Sequence, residues 1–85
     1  MTTVSPPQTE INAVFAFYSN GQIEEALDSA ATLIKDYPDD PLLYNICGAC
    51  YKEIDKLEKA FKSFEKAVDL KPDYAEARYN LGITL

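Results

Sequence analysis

The chain has 85 residues, room for one domain at most, and a single domain of this length has a thin core. Its hydrophobic content of 47% suits a folded chain, and no apolar run approaches the roughly 20 residues that a membrane-spanning helix needs. The net charge is −6 and lies unevenly: residues 1–40 hold seven acids against Lys35 alone, while residues 41–85 hold seven of each sign. With no basic stripe, a nucleic-acid backbone or an anionic membrane surface is repelled rather than held, whereas a basic partner is attracted. Residues 1–6 contain no basic residue and no apolar stretch; they read as a disordered tail rather than a secretory signal.

The remainder reads as helix with regular punctuation. The first helix runs from about Pro7 to Ser19, with Ser5 and Gln8 in capping-box spacing and Ile11, Val14, Phe15 and Tyr18 at helical spacing. Asn20-Gly21 ends it, since both residues tolerate the left-handed conformation. A second helix follows from about Gln22 to Asp36, its apolar face made by Ile23, Ala26, Leu27, Ala30, Leu33 and Ile34. Pro41 opens a third, which continues through Leu43, Tyr44, Cys47, Cys50 and Tyr51. Asp55 and Glu58 have capping-box spacing for a fourth, which reaches Leu70 on a face of Leu57, Ala60, Phe61, Phe64, Ala67 and Val68. A fifth helix starts at Ala75, with Asp73 and Glu76 as its cap. Pro7 and Pro41 stand 34 residues apart, as do Pro38 and Pro72. A repeat of that period, with loops of a few residues, predicts antiparallel helical hairpins that must stack to bury their faces.

Set in frames of that length, the middle segment reads Tyr44, Cys47, Gly48, Tyr51, Ala60, Phe64, Ala67 and Pro72. This resembles the tetratricopeptide family, whose pattern alternates large, small and aromatic residues in that order and ends on proline. Cys47 departs from the pattern but is a small hydrophobe. The first segment is a weaker version: Glu10, Ala13, Val14, Phe17, Ala26, Ala30, Leu33 and Pro38. The third holds only Arg78, Leu81, Gly82 and Leu85. The resemblance implies an all-α superhelix of five helices and about two and a half repeats, spanning 7–40, 41–74 and 75–85. In such packing Gly48 and Gly82 are expected to let neighbouring helices approach closely.

The same resemblance implies function. First helices of successive repeats line a concave groove in this family, and the groove-facing places fall on Gln8, Ile11, Phe15, Tyr18 and Ser19, on Leu42, Asn45, Ala49, Lys52 and Glu53, and on Glu76, Tyr79 and Ile83. Ile11, Phe15, Tyr18, Asn45, Lys52 and Tyr79 are the candidate groove, suited to an extended peptide or a helix. Members that clamp a chaperone's C-terminal carboxylate use Lys, Asn and Arg at places held here by Ile11, Phe15, Ile46, Glu76 and Asn80, so that specificity is rejected. Long superhelices of the family hold a peptide backbone with an Asn ladder. Asn12 and Asn80 fall on it, but Ile46 breaks it between them.

Cys47-Gly48-Ala49-Cys50 has C-x-x-C spacing but lies mid-helix, without the strand-then-helix setting that activates such a pair. With no His and no third Cys, no metal site is expected; the thiols read as core. Without His the usual proton shuttle is absent, and the paired acids Glu24-Glu25 and Asp39-Asp40 suit exposed caps. No catalytic residue, cofactor or metal is therefore expected. Ending at Leu85, the chain stops halfway through a repeat, which favours a piece of a longer repeat protein. Leu81, Ile83 and Leu85 would then form an open apolar edge through which a homodimer could assemble. The expected role is non-catalytic: a protein- or peptide-binding scaffold with a cytoplasmic location, in keeping with two free thiols. The alternatives are a spacer or a recognition module ahead of a bacterial sulfotransferase or glycosyltransferase domain.

Overall fold

The computed structural model describes residues 5–84. It consists of five helices: α1 (Gln8–Ser19), α2 (Ile23–Asp36), α3 (Pro41–Glu53), α4 (Leu57–Leu70) and α5 (Ala75–Thr84). Each helix packs on the next in chain order, and α3 also touches α5. Short turns reverse the chain each time, so the helices form antiparallel hairpins stacked into a slab of 36 × 29 × 18 Å. The loose tail expected over residues 1–6 lies, apart from Ser5 and Pro6, outside the described residues, and Pro6 itself is buried. Leu85 also lies outside them.

The core follows the repeat. Val14, Ala26, Ala30 and Leu33 from the first hairpin cluster with Leu43, Ile46, Cys47 and Cys50 of α3. Ala60, Phe64 and Ala67 form the buried face of α4. Helix α3 is the most deeply set, with Asn45, Ile46 and Gly48 buried beside the residues expected there. Leu57 was expected on the apolar face of α4 but is 47% exposed. It is the first residue of that helix, one turn short of the buried Ala60.

Two helix ends repeat in detail. After α1 the Gly21 amide donates to the Tyr18 carbonyl at 3.1 Å and the Gln22 amide to the Phe17 carbonyl at 2.8 Å. After α3 the Asp55 amide donates to Lys52 at 3.1 Å and the Lys56 amide to Tyr51 at 2.8 Å. Both are Schellman closures, and both place their central residue in the left-handed region: Gly21 at φ 78° and Asp55 at φ 65°. Asp55 therefore ends α3 and does not cap α4, whose N-cap is Lys56 and has no side-chain cap. The Ser5–Gln8 capping box is not formed either. The N-cap of α1 is Pro7, which has no side-chain acceptor, and Gln8 Nε2 instead donates to Asn12 Oδ1 at 3.0 Å. At α3 the expected cap is present, with Asp40 Oδ1 accepting from the Leu42 amide at 2.9 Å beside Pro41 at the first turn.

One further bond recurs with different chemistry. Tyr44 Oη donates to the Pro38 carbonyl at 2.8 Å, and Arg78 Nε donates to the Pro72 carbonyl. Both donors and both acceptors are one repeat apart, so a phenol and a guanidinium tie successive first helices to the proline that precedes each of them.

Candidate functional site

Helices α1, α3 and α5 together border a hollow of about 370 Å³. Helical spacing places its lining. Phe15, Tyr18 and Ser19 come from one face of α1; Leu42, Asn45, Ile46 and Ala49 from α3; Glu76 and Asn80, one turn apart, from α5. Its walls are aromatic and aliphatic, with the Asn45 and Asn80 amides and the Glu76 carboxylate on the α3 and α5 side and the Tyr18 and Ser19 hydroxyls on α1, a mixture usual for ligand hollows.

The polar side is a short chain of hydrogen bonds. Asn80 Nδ2 donates to Asn45 Oδ1 at 3.1 Å, and Asn45 Nδ2 donates to the Tyr74 hydroxyl at 3.4 Å. Asn45 is only 5% exposed, and this pairing is what allows its amide to be buried. Burial raises the Tyr74 pKa, as do Glu76 and Asp40, while the Asn45 bond opposes the rise. Burial also raises the Tyr18 pKa, followed by the charge of Glu53 and by Cys50, so this hydroxyl stays protonated at neutral pH.

Of the residues expected to form a groove, the hollow brings together Phe15, Tyr18 and Asn45, with Ser19, Leu42, Ala49 and Glu76 that were carried over beside them. Ile11 is elsewhere: it is buried and borders a second hollow with Pro6, Pro41 and Tyr74. Lys52 and Tyr79, both exposed, are not among the lining residues, and Tyr79 is 68% exposed. Neither Leu81 nor Ile83 lines it. Ile46 and Asn80 do, although the repeat pattern marked them only as places of a carboxylate clamp and of an Asn ladder. Their spacing from Leu42 and Glu76 was the available signal. The break at Ile46 is bridged one residue earlier, because Asn45 rather than Ile46 meets Asn80.

Cys47 and Cys50 are buried free thiols. Burial first, then the neighbouring Cys50, pushes the Cys47 pKa up to about 12; burial and Glu53 push Cys50 to about 11. Both are protonated at neutral pH and poor nucleophiles. Among the described residues no group of three His, Cys, Asp or Glu side chains could hold a metal ion. No described helix is long and apolar enough to cross a membrane.

A helical-hairpin scaffold with a hollow lined by apolar side chains and amides has the architecture of a protein-interaction module. Known proteins place it further. A family model described as TPR repeat matches residues 50–85. The peroxisomal targeting signal receptor of Kluyveromyces lactis is 32% identical over 78 residues, covering 92% of this chain and 14% of the receptor. The receptor of Candida albicans is 35% identical over 68 residues, covering 80% and 12%. The second TPR of Spaghetti (RPAP3), solved bound to the HSP90 peptide SRMEEVD, superposes with a TM-score of 0.85 at 25% identity, covering 89% of this chain and 70% of that one. The chain is a tetratricopeptide-repeat protein, a binding module of that class. It spans 12% to 14% of the length of the curated relatives it matches. These relatives are yeast receptors, so the alternative of a recognition module ahead of a bacterial transferase is not what the matches support.

Proposed function

We propose that the hollow between α1, α3 and α5 binds an extended peptide segment, with an aliphatic side chain seated against Phe15, Leu42 and Ala49 and the peptide backbone meeting Asn80. The carrying observation is the hollow itself, about 370 Å³ with aromatic and aliphatic walls and an amide at its edge. Asn80 Nδ2 donates to Asn45 Oδ1, so the Asn80 Oδ1 is the acceptor offered to a ligand amide. A solved TPR of similar shape that holds a peptide, and relatives named as receptors of a targeting signal, support a peptide ligand.

The test is fluorescence anisotropy with short labelled peptides against the wild type, Ala49→Arg and Tyr18→Ala. Binding that both variants weaken, with helix content and melting unchanged, supports the hollow. Binding that neither variant alters places the ligand elsewhere.

On this reading the repeat units are 7–40, 41–74 and 75–85, and the module works in the cytoplasm. The exposed edge of α5, where Ile83 is 48% exposed near Leu81, is a candidate contact for a second copy. Light scattering over a concentration series, with Ile83→Glu as the control, decides that point: a mass independent of concentration removes the dimer.

A further inference from the structure

We infer that the groove, if it binds peptides as proposed above, selects segments carrying an arginine or lysine, whose side chain lies across Phe15 and Tyr18 with its charge against Glu76. Three observations converge. Glu76 is the one charged side chain among the lining residues, and no base lines the hollow to neutralise it. Lys52, the nearest base on α3 in sequence to the lining Ala49, is not among them. The charge of a second carboxylate, Glu53, adds to the rise in the Tyr18 pKa that burial causes. The α1 wall of the same hollow supplies two aromatic rings, those of Phe15 and Tyr18, and Phe15 is 43% exposed.

A cation is the ligand chemistry that satisfies both walls. A guanidinium or ammonium over an aromatic face gains from the ring quadrupole, and a carboxylate at its edge adds a charge-assisted hydrogen bond. An acidic side chain meets the Glu76 carboxylate and is disfavoured by like charge. The remainder of the molecule reinforces the choice. The first hairpin, which supplies the aromatic wall, is part of a segment with seven acids and one base, so a basic peptide is also steered toward this face.

The experiment is an anisotropy titration with pools of short peptides, blocked at both ends, in which one position is fixed as Arg, Lys, norleucine or Glu. The Arg and Lys pools are expected to bind at least about tenfold tighter than the Glu pool at low salt, with the gap shrinking as salt rises. Glu76→Gln should remove the preference, closing the gap between the Arg and Lys pools and the Glu pool, and Glu76→Lys should invert it. Circular dichroism establishes that each variant is folded. Pools that bind without regard to charge, or a preference that survives Glu76→Gln, overturn the inference and leave the groove standing. If no pool binds, the groove reading itself falls.

Discussion

The ring of Phe64 occupies the space into which a β-carbon on Gly48 would project, with its Cε1 2.5 Å from that position and Cδ1 2.6 Å. No real β-carbon tolerates such an approach, so α3 and α4 meet at this distance only because residue 48 has no side chain. The first hairpin solves the same place the other way round. Val14 stands where Gly48 stands one repeat later, and Ala30 where Phe64 stands, and all four are buried. Bulk has been exchanged between the two helices, with the total kept roughly constant.

Gly48→Ala should therefore destabilise the fold by about 1–3 kcal/mol, even though alanine is the better helix former by about 1 kcal/mol. Gly82 supplies the control. Among the described residues no atom beyond its chain neighbours and its own helix backbone lies within 4 Å of its missing β-carbon, so the close approach expected there is not seen among them. Gly82→Ala should stabilise by about 0.5–1 kcal/mol. Urea denaturation of both variants measures the contrast. Pairing Gly48→Val with Phe64→Ala should recover part of the loss caused by Gly48→Val alone; strict additivity would mean that the two residues do not compete for space.

The left-handed turns give a second prediction. Asp55 at φ 65° occupies a conformation that costs a side-chain-bearing residue about 1–2 kcal/mol, though less for aspartate than for most. Asp55→Gly should raise stability by up to about 1 kcal/mol. Gly21→Ala should lower it by about as much, through conformation alone, because nothing lies within 4 Å of the added methyl. Equal and negligible shifts in both variants would count against the strain.

Helix positions and most of the core were legible because the apolar spacing and the proline period are local signals. Ala26, Ala30, Ala60, Phe64 and Ala67 lie buried where the repeat frame puts them. The caps were less legible. Asp55 followed by Glu58 has the spacing of a helix start, but the closure of α3 claims Asp55 first, because two backbone hydrogen bonds outweigh one side-chain cap. The hollow was legible only in part. Which residues face it depends on how α5 lies beside α3, where Asn80 and Asn45, 35 residues apart, share a hydrogen bond that no local pattern announces.

That bond yields a third prediction. Helix α5 rests mainly on α4 and touches α3 lightly, so the Asn80–Asn45–Tyr74 chain is a principal tether between its start and α3. Asn45→Ala leaves a half-buried phenol and an amide short of partners, at a cost of about 1–3 kcal/mol. Hydrogen exchange should show the loss concentrated in α5, with its amides deprotected more than those of α2. Uniform loss across all five helices would show that Asn45 acts on the whole fold rather than on the docking of α5.

The buried thiols give the last prediction, and its sign follows from their direction of shift. Cys47 and Cys50 titrate near 12 and 11 in the folded protein, against an ordinary value of 9.0, because burial penalises the thiolate. Between about pH 9 and these values the unfolded chain has released protons that the folded chain keeps. The unfolded state therefore binds fewer protons there, and stability must fall as pH rises. Tyr18, Tyr44 and Tyr74, all with raised pKa values, push in the same direction. Urea midpoints should hold steady up to about pH 9 and decline beyond it, with a shallower decline in Cys47→Ala/Cys50→Ala. An independent readout comes from a thiol reagent at pH 8. Labelling should be slow in buffer and complete only when urea unfolds the chain, because both sulfurs are buried. Rapid labelling of the folded protein would mean that α3 opens locally around Cys47, and the core position assigned to the pair would have to be abandoned.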